Sequence, residues 1–216
     1  TESNQSLLAR MPHRTFEDLS VVYMWLMKCD GEGVATIPVE NQTADLFGLT
    51  EEQLYELAYE NTKRLLPFKT KTMEEVIRQL AGKLELEVES EVLQDKSEGF
   101  YVISNQARTF GAIAMLYPEI FDEIADIQGD DLYVIPSSRH EVVTLPKKEL
   151  ALEEVVEMVE KTNEQDREIE DILSNQIYQY DRGARVITKA TDLPFRPFRQ
   201  NMEEIKEEGI EKSTGR

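Results

Sequence analysis

The chain has 216 residues, 40% of them hydrophobic, which is enough for a packed core in one large domain or two small ones. Its formal net charge of −19, from 43 acidic against 24 basic residues, opposes nonspecific binding to nucleic acid or to an anionic membrane, because phosphate repels such a surface. A single cysteine, Cys29, excludes an intrachain disulfide and a cysteine-based zinc site and suits a reducing cytoplasm, and no apolar run approaches the roughly 18–20 residues of a membrane span.

The first residues, Thr-Glu-Ser-Asn-Gln, carry no initiator Met, basic region or apolar stretch. They read as a trimmed start rather than a signal peptide, with residues expected upstream. Residues 1–13 form a lead-in segment, with a loop around Pro12. Leu19 to Met27 is almost continuously apolar and rich in β-branched and aromatic residues, which predicts a strand buried on both faces. Asp30-Gly31 is a turn signal, and "VATIPVE" closes a β-hairpin.

Thr50 with Gln53 three residues on makes a capping box, and Pro67 ends the helix it begins. Leu54, Leu57, Ala58, Asn61 and Leu65 fall on one face of that helix, taken as inward. Asn61 is accordingly expected to bond a backbone group inside the fold. A second helix starts at Thr72, with Met73, Val76, Ile77, Leu80 and Ala81 inward. Residues 83–99 alternate Leu and Val with Glu, and read as an exposed, poorly constrained segment that marks a subdivision.

"FYVISN" predicts a strand, "QARTFG" a turn and "AIAMLY" the return strand. Pro118 opens a helix and Gly129 stops it, with Ile120, Phe121, Ile124 and Ile127 inward. "LYVIP" and "EVVTLP" form a hairpin joined by "SSRH". A helix from Glu149 to about Asn163 turns Leu152, Val155, Val156 and Val159 inward. The stretch after Ile172 predicts a short helix and a terminal strand, and residues 191–216 a polar tail. Within it, "PFRPFRQ" is basic, suited to docking on a partner or on the acidic body. The whole is an α+β fold: successive hairpin–helix units, an antiparallel or mixed sheet with helices packed on it, in one domain over residues 14–190.

Motifs for chemistry are sparse. The hairpin residues Ser137, Ser138, Arg139, His140 and Glu141 are the candidate binding residues, yet adjacent residues of a tight turn do not converge like a nucleophile, base and acid. No nucleophile elbow or phosphate-binding loop occurs. Cys29 beside Asp30 makes a poor nucleophile and reads as a small packed hydrophobe. Asp122, Glu123, Asp126, Asp130 and Asp131 lack calcium-loop spacing and read as a solvated acidic face. No catalytic residue, metal site or cofactor is assigned.

Three blocks resemble a bacterial family: "LYELAYENTKRLLP", "YVISN…GAIAMLYPEIFDEIA…GDDLYVIPSSRHEV" and "ILSNQIYQYDR". The family is a domain of unknown function, found in gut Firmicutes and some of their mobile elements, and the resemblance spans Pro12 to Arg182. It implies a bacterial, cytoplasmic protein and brings no activity or catalytic residue. The sequence thus points to a non-enzymatic interaction or accessory domain with a protein partner, and no direct contact with nucleic acid or membrane. Two alternatives remain: an acidic, DNA-mimicking inhibitor of a basic protein, and an enzyme with an unrecognised site.

Overall fold

The computed structural model describes residues 2–30, 33–83, 99–165 and 173–193. The Glu-rich segment 84–98 and the tail from 194 onward, with "PFRPFRQ", lie outside the described residues.

The N-terminal third is an outer layer. Helix α1 (Glu2–Leu8) precedes β1 (His13–Phe16) and β2 (Leu19–Val22), an antiparallel pair. A second hairpin, β3 (Met24–Asp30) and β4 (Gly33–Pro38), follows, then α2 (Asn41–Leu46) and α3 (Glu51–Leu65). The apolar run Leu19–Met27 is therefore not one strand buried on both faces. It breaks at Tyr23, whose carbonyl accepts from the Val39 amide at 2.9 Å. Leu19 packs on the sheet core and Tyr23 is buried with Val39, Ala44 and Leu54, while Met24 and Met27 are exposed and Val21, Trp25 and Leu26 line a cleft. Cys29 follows the same correction: it is exposed, not packed.

Helix α3 starts as the capping box predicts: Gln53 N–H donates to Thr50 Oγ1 at 3.3 Å, and Thr50 N–H donates to Gln53 Oε1 at 3.0 Å. Its buried side differs from the expected one. Leu54 is buried, and Tyr55, Ala58, Tyr59 and Thr62 are half-buried, whereas Leu57, Asn61 and Leu65 are exposed. Asn61 bonds no interior backbone group; its Oδ1 accepts from Arg64 Nη2 at 2.9 Å.

The remaining elements form the core. Strand β5 (Phe68–Thr72) leads into α4 (Met73–Lys83), capped by a box between Thr72 and Glu75. Strand β6 (Tyr101–Asn105) does not pair with a return strand. Residues Gly111–Leu116 are a 3-10 turn, reached through left-handed Arg108 (φ 52°) and Phe110 (φ 56°). Asn105 fixes that path, its side chain bonding both N–H and C=O of Thr109. Helix α5 (Pro118–Gln128) has Pro118 at its start and left-handed Gly129 (φ 67°) at its end. Then come β7 (Leu132–Ser138), β8 (Glu141–Pro146), α6 (Leu152–Gln165), β9 (Tyr178–Asp181) and β10 (Val186–Lys189). The expected short helix near β9 is absent among the described residues; the β9–β10 hairpin stands there.

Six strands pair antiparallel in the order β10-β9-β7-β8-β6-β5, so the class is α+β. Both faces are covered. Ile103, Leu132, Val134, Val142, Tyr178 and Tyr180 meet Phe121, Ile124 and Ala125 of α5, with Ala114 and Met115 of the turn. Tyr133, Ile135, Leu145 and Ile177 meet Val155 of α6. Successive residues of β7 point to opposite faces, which is why that strand is apolar throughout. Each fully buried side chain of this size contributes about 1.5–3 kcal/mol. Lys69 and Lys71 sit on edge strand β5, where charge discourages pairing with other chains.

Acidic α5 is not a purely solvated face. Asp122 pairs with Arg185, whose Nε lies at 3.0 Å, and accepts from the Tyr180 hydroxyl. Asp126 accepts from Arg182 Nε at 2.9 Å, and Asp131 from the Arg182 amide at 3.0 Å. Among the described residues no group of His, Cys, Asp and Glu could hold a metal ion.

The outer layer is tied down by Asp18, which accepts from Tyr178 Oη at 2.5 Å and Ser174 Oγ at 2.8 Å. Glu51, at the head of α3, accepts from Arg14 at 2.9 and 3.1 Å and from the Tyr23 hydroxyl. The Arg14 hydrogen bond holds its carboxyl below the usual range, against partial desolvation and with help from Tyr23. A group with a lowered folded pKa stabilises above its unfolded pKa, about 4.3, and that contribution is lost as pH falls through the lowered value.

Glu51→Gln should therefore flatten the acid limb of stability, narrowing the difference from the parent as pH drops below about 4.5 in urea titrations. An unchanged acid limb would remove Glu51 from that role. At Gly111 a Cβ would collide with the His140 carbonyl oxygen and with Ser104 Oγ, backbone included. Gly111→Ala should cost about 1–3 kcal/mol, read from the urea midpoint.

Candidate functional site

Between the outer layer and the core lies an apolar cleft of about 560 Å³. The β1–β2 and β3–β4 hairpins supply Phe16, Leu19, Val21, Tyr23 and Trp25; α3 supplies Leu54, Leu57, Ala58, Asn61, Arg64 and Leu65. The 3-10 turn closes the core side with Ala112, Ile113, Met115 and Leu116, and Arg139 and Leu173 also line it. This volume is within the roughly 300–1,000 Å³ that hold small ligands.

Aromatic contacts join the two sides. Tyr59 of α3 stacks on Tyr117 with ring centroids 4.3 Å apart, and Tyr117 Oη donates to the Tyr59 carbonyl at 2.9 Å. Lys63 Nζ reaches Glu119 at 2.6 Å. Burial pushes the Tyr23, Tyr59 and Tyr117 phenols above their ordinary pKa, since the phenolate loses most on desolvation. They stay protonated near neutral pH and cannot act there as bases.

Among the described lining residues there is no His, Cys, Asp, Glu or Lys; the charged ones are Arg64 and Arg139. The Ser20 hydroxyl in the wall thus has no His or carboxylate partner in the described lining. The half-buried Glu51 carboxylate, which accepts from the lining Tyr23 hydroxyl, is bonded to Arg14.

The five hairpin residues singled out by sequence are together, but in structural duties. Ser138 Oγ accepts from the His140 amide at 3.0 Å, and Ser137 Oγ donates to Glu141 Oε1 at 3.1 Å. His140 Nδ1 accepts from the Phe110 amide at 3.2 Å, and its carbonyl from Ser104 Oγ at 2.7 Å. On the other side of the ring, Arg139 Nε donates to His140 Nε2 at 3.1 Å. The Arg139 carbonyl accepts from Ala112 at 3.3 Å. Arg139 is the member of the five that lines the cleft. The cleft itself was missed in the sequence. Its signal was there: Leu57 and Leu65 keep a helical apolar spacing on α3, yet they are exposed and line the cleft.

No helix among the described residues is long and apolar enough to cross a membrane. No curated protein and no solved structure matches the chain. The profile of one family, "Family of unknown function (DUF5688)", matches residues 1–182, and the chain belongs to that family.

Proposed function

We propose that this chain is a non-enzymatic binding and accessory domain, whose cleft between α3 and the 3-10 turn receives an apolar ligand. The observation that carries this is the lining: about 560 Å³ walled by aliphatic and aromatic side chains, with protonated phenols and no nucleophile–base pair among the described residues. Leaving so much apolar surface open to water costs stability, which an occupant recovers.

A protein partner docked outside the cleft is favoured by a second observation. Trp25 meets Phe47 edge-on at 5.6 Å and pairs across the hairpin with Ile37. Phe47, Ile37 and neighbouring Leu46 are exposed, so apolar surface continues outside the cleft. A contact built on such residues survives high salt, unlike one in which acidic side chains imitate DNA.

A neutral naphthylamine dye, fluorescent in apolar surroundings, should bind one-to-one and saturably. Leu57 is 52% exposed, so Leu57→Asp should fold normally by circular dichroism. The same change should weaken the dye by about tenfold or more, because it sets a charge in the lining. Nonsaturable binding, or binding indifferent to Leu57→Asp, overturns the cleft as a site. Separately, a partner captured from lysate should remain through a high-salt wash and be lost with Phe47→Asp. Loss at high salt instead would favour an acidic competitor of nucleic acid.

A further inference from the structure

The lining has a sign. Acidic residues make up 43 of the 216 in the chain, so a lining of thirty residues drawn at random would hold about six; among the described residues this one holds none. Apolar walls shed charge of either sign, yet two arginines remain, Arg64 from the last turn of α3 and Arg139 from the β7–β8 turn. A strongly acidic protein has thus built one apolar cavity whose charged lining residues, as described, are all cationic.

Resting on the cleft as a binding site, we propose that its occupant is a long-chain carboxylate, its chain among Leu54, Leu57, Ile113 and Met115 and its head at the arginines. The chemistry of each part matches. Aliphatic walls take an alkyl chain at no polar cost. A guanidinium presents five N–H donors in a fixed fork that suits a carboxylate. Arg64 spends one nitrogen, Nη2, on Asn61 Oδ1 at 2.9 Å, an acceptor that orients the fork from within the same lining. Arg139 is placed by its backbone, since its carbonyl holds the Ala112 amide of the 3-10 turn, and by its Nε, which donates to His140 Nε2 at 3.1 Å; its terminal Nη groups are the ones proposed to meet the carboxylate. The buried phenols around the cavity stay neutral and add no repulsion. A cationic amphiphile meets the opposite situation, with like charge at the head and nothing acidic in the described wall to receive it.

The test is displacement of the neutral naphthylamine dye from the full chain by three amphiphiles of equal chain length: laurate, dodecanol and dodecyltrimethylammonium. Laurate should displace the dye at concentrations about tenfold or more below dodecanol, as one charge-assisted contact implies, with the cation weakest. Arg64→Gln and Arg139→Gln should each shrink the laurate-to-dodecanol ratio, and the double variant should bring it near unity. Lys161→Gln, on α6 across the sheet, removes a remote positive charge and should leave the ratio unchanged. Dodecanol as strong as laurate, or a ratio that falls equally with Lys161→Gln, overturns the carboxylate while leaving the cleft a binding site. Displacement by an amphipathic peptide but not by laurate overturns it too and makes the occupant a protein segment. Failure of the dye itself to bind removes the cleft, and this inference with it.

Discussion

Gly111 lies against the His140 carbonyl and the Ser104 side chain at a spacing that admits no Cβ. That approach seats the 3-10 turn on β6 and β8 and sets the core wall of the cleft. Asn105 and the left-handed residues Arg108 and Phe110 shape the loop so that Gly111 arrives there. His140 accepts from the Phe110 amide on one side, and its own carbonyl accepts from Ser104 on the other. The β7–β8 turn is therefore a joint between hairpin and 3-10 turn. Its serines and histidine are used up in that joint, and Arg139 reaches the cleft because the joint holds its backbone.

Charge is distributed along the same lines. Several of the acids that make the chain so negative are matched locally: Asp122 and Asp126 by arginines of the β9–β10 turn, Glu119 by Lys63, Glu51 by Arg14. Most of these pairs are exposed and contribute little each. Their effect is on geometry. Arg182 and Arg185 hold the β9–β10 turn against α5, and Lys63 with Glu119 closes α3 over Tyr117. None of these acids lines the cleft, whose charged residues, as described, are Arg64 and Arg139.

The sequence carried the core well and the outer layer poorly, for one reason. A sheet covered on both faces makes its strands apolar throughout, and "LYVIP" with "EVVTLP" says so plainly. Leu19–Met27 has the same composition but lines a cleft from one side, and composition alone cannot tell a buried partner from an empty space. "AIAMLY" failed similarly: small and apolar residues suit a strand as well as a 3-10 turn, and the deciding fact is the contact of Gly111 with His140, 29 positions away. Local chemistry was legible wherever it was self-contained. The Thr50 box, Pro118 and Gly129 are each specified within a few residues, and each stands where expected. The face of α3 was not self-contained, because Tyr55 and Tyr59 found partners in Arg14 and Tyr117 that rotate Leu57, Asn61 and Leu65 outward.

That rotation explains why the cleft exists. The outer layer is fastened to the core through specific ties: the Asp18 carboxylate on Tyr178 and Ser174, the Tyr59–Tyr117 stack, and Lys63 on Glu119. None of them requires the two surfaces to close on each other along their length. A continuous hydrophobic interface would have drawn Leu57 and Leu65 inward and filled the space, since apolar area left in water is unfavourable. Here the polar and aromatic ties set the separation first, and Ala58 on one side and Ala112 on the other are too small to bridge it. The cavity is the space left when two layers are held by fixed points instead of by packing.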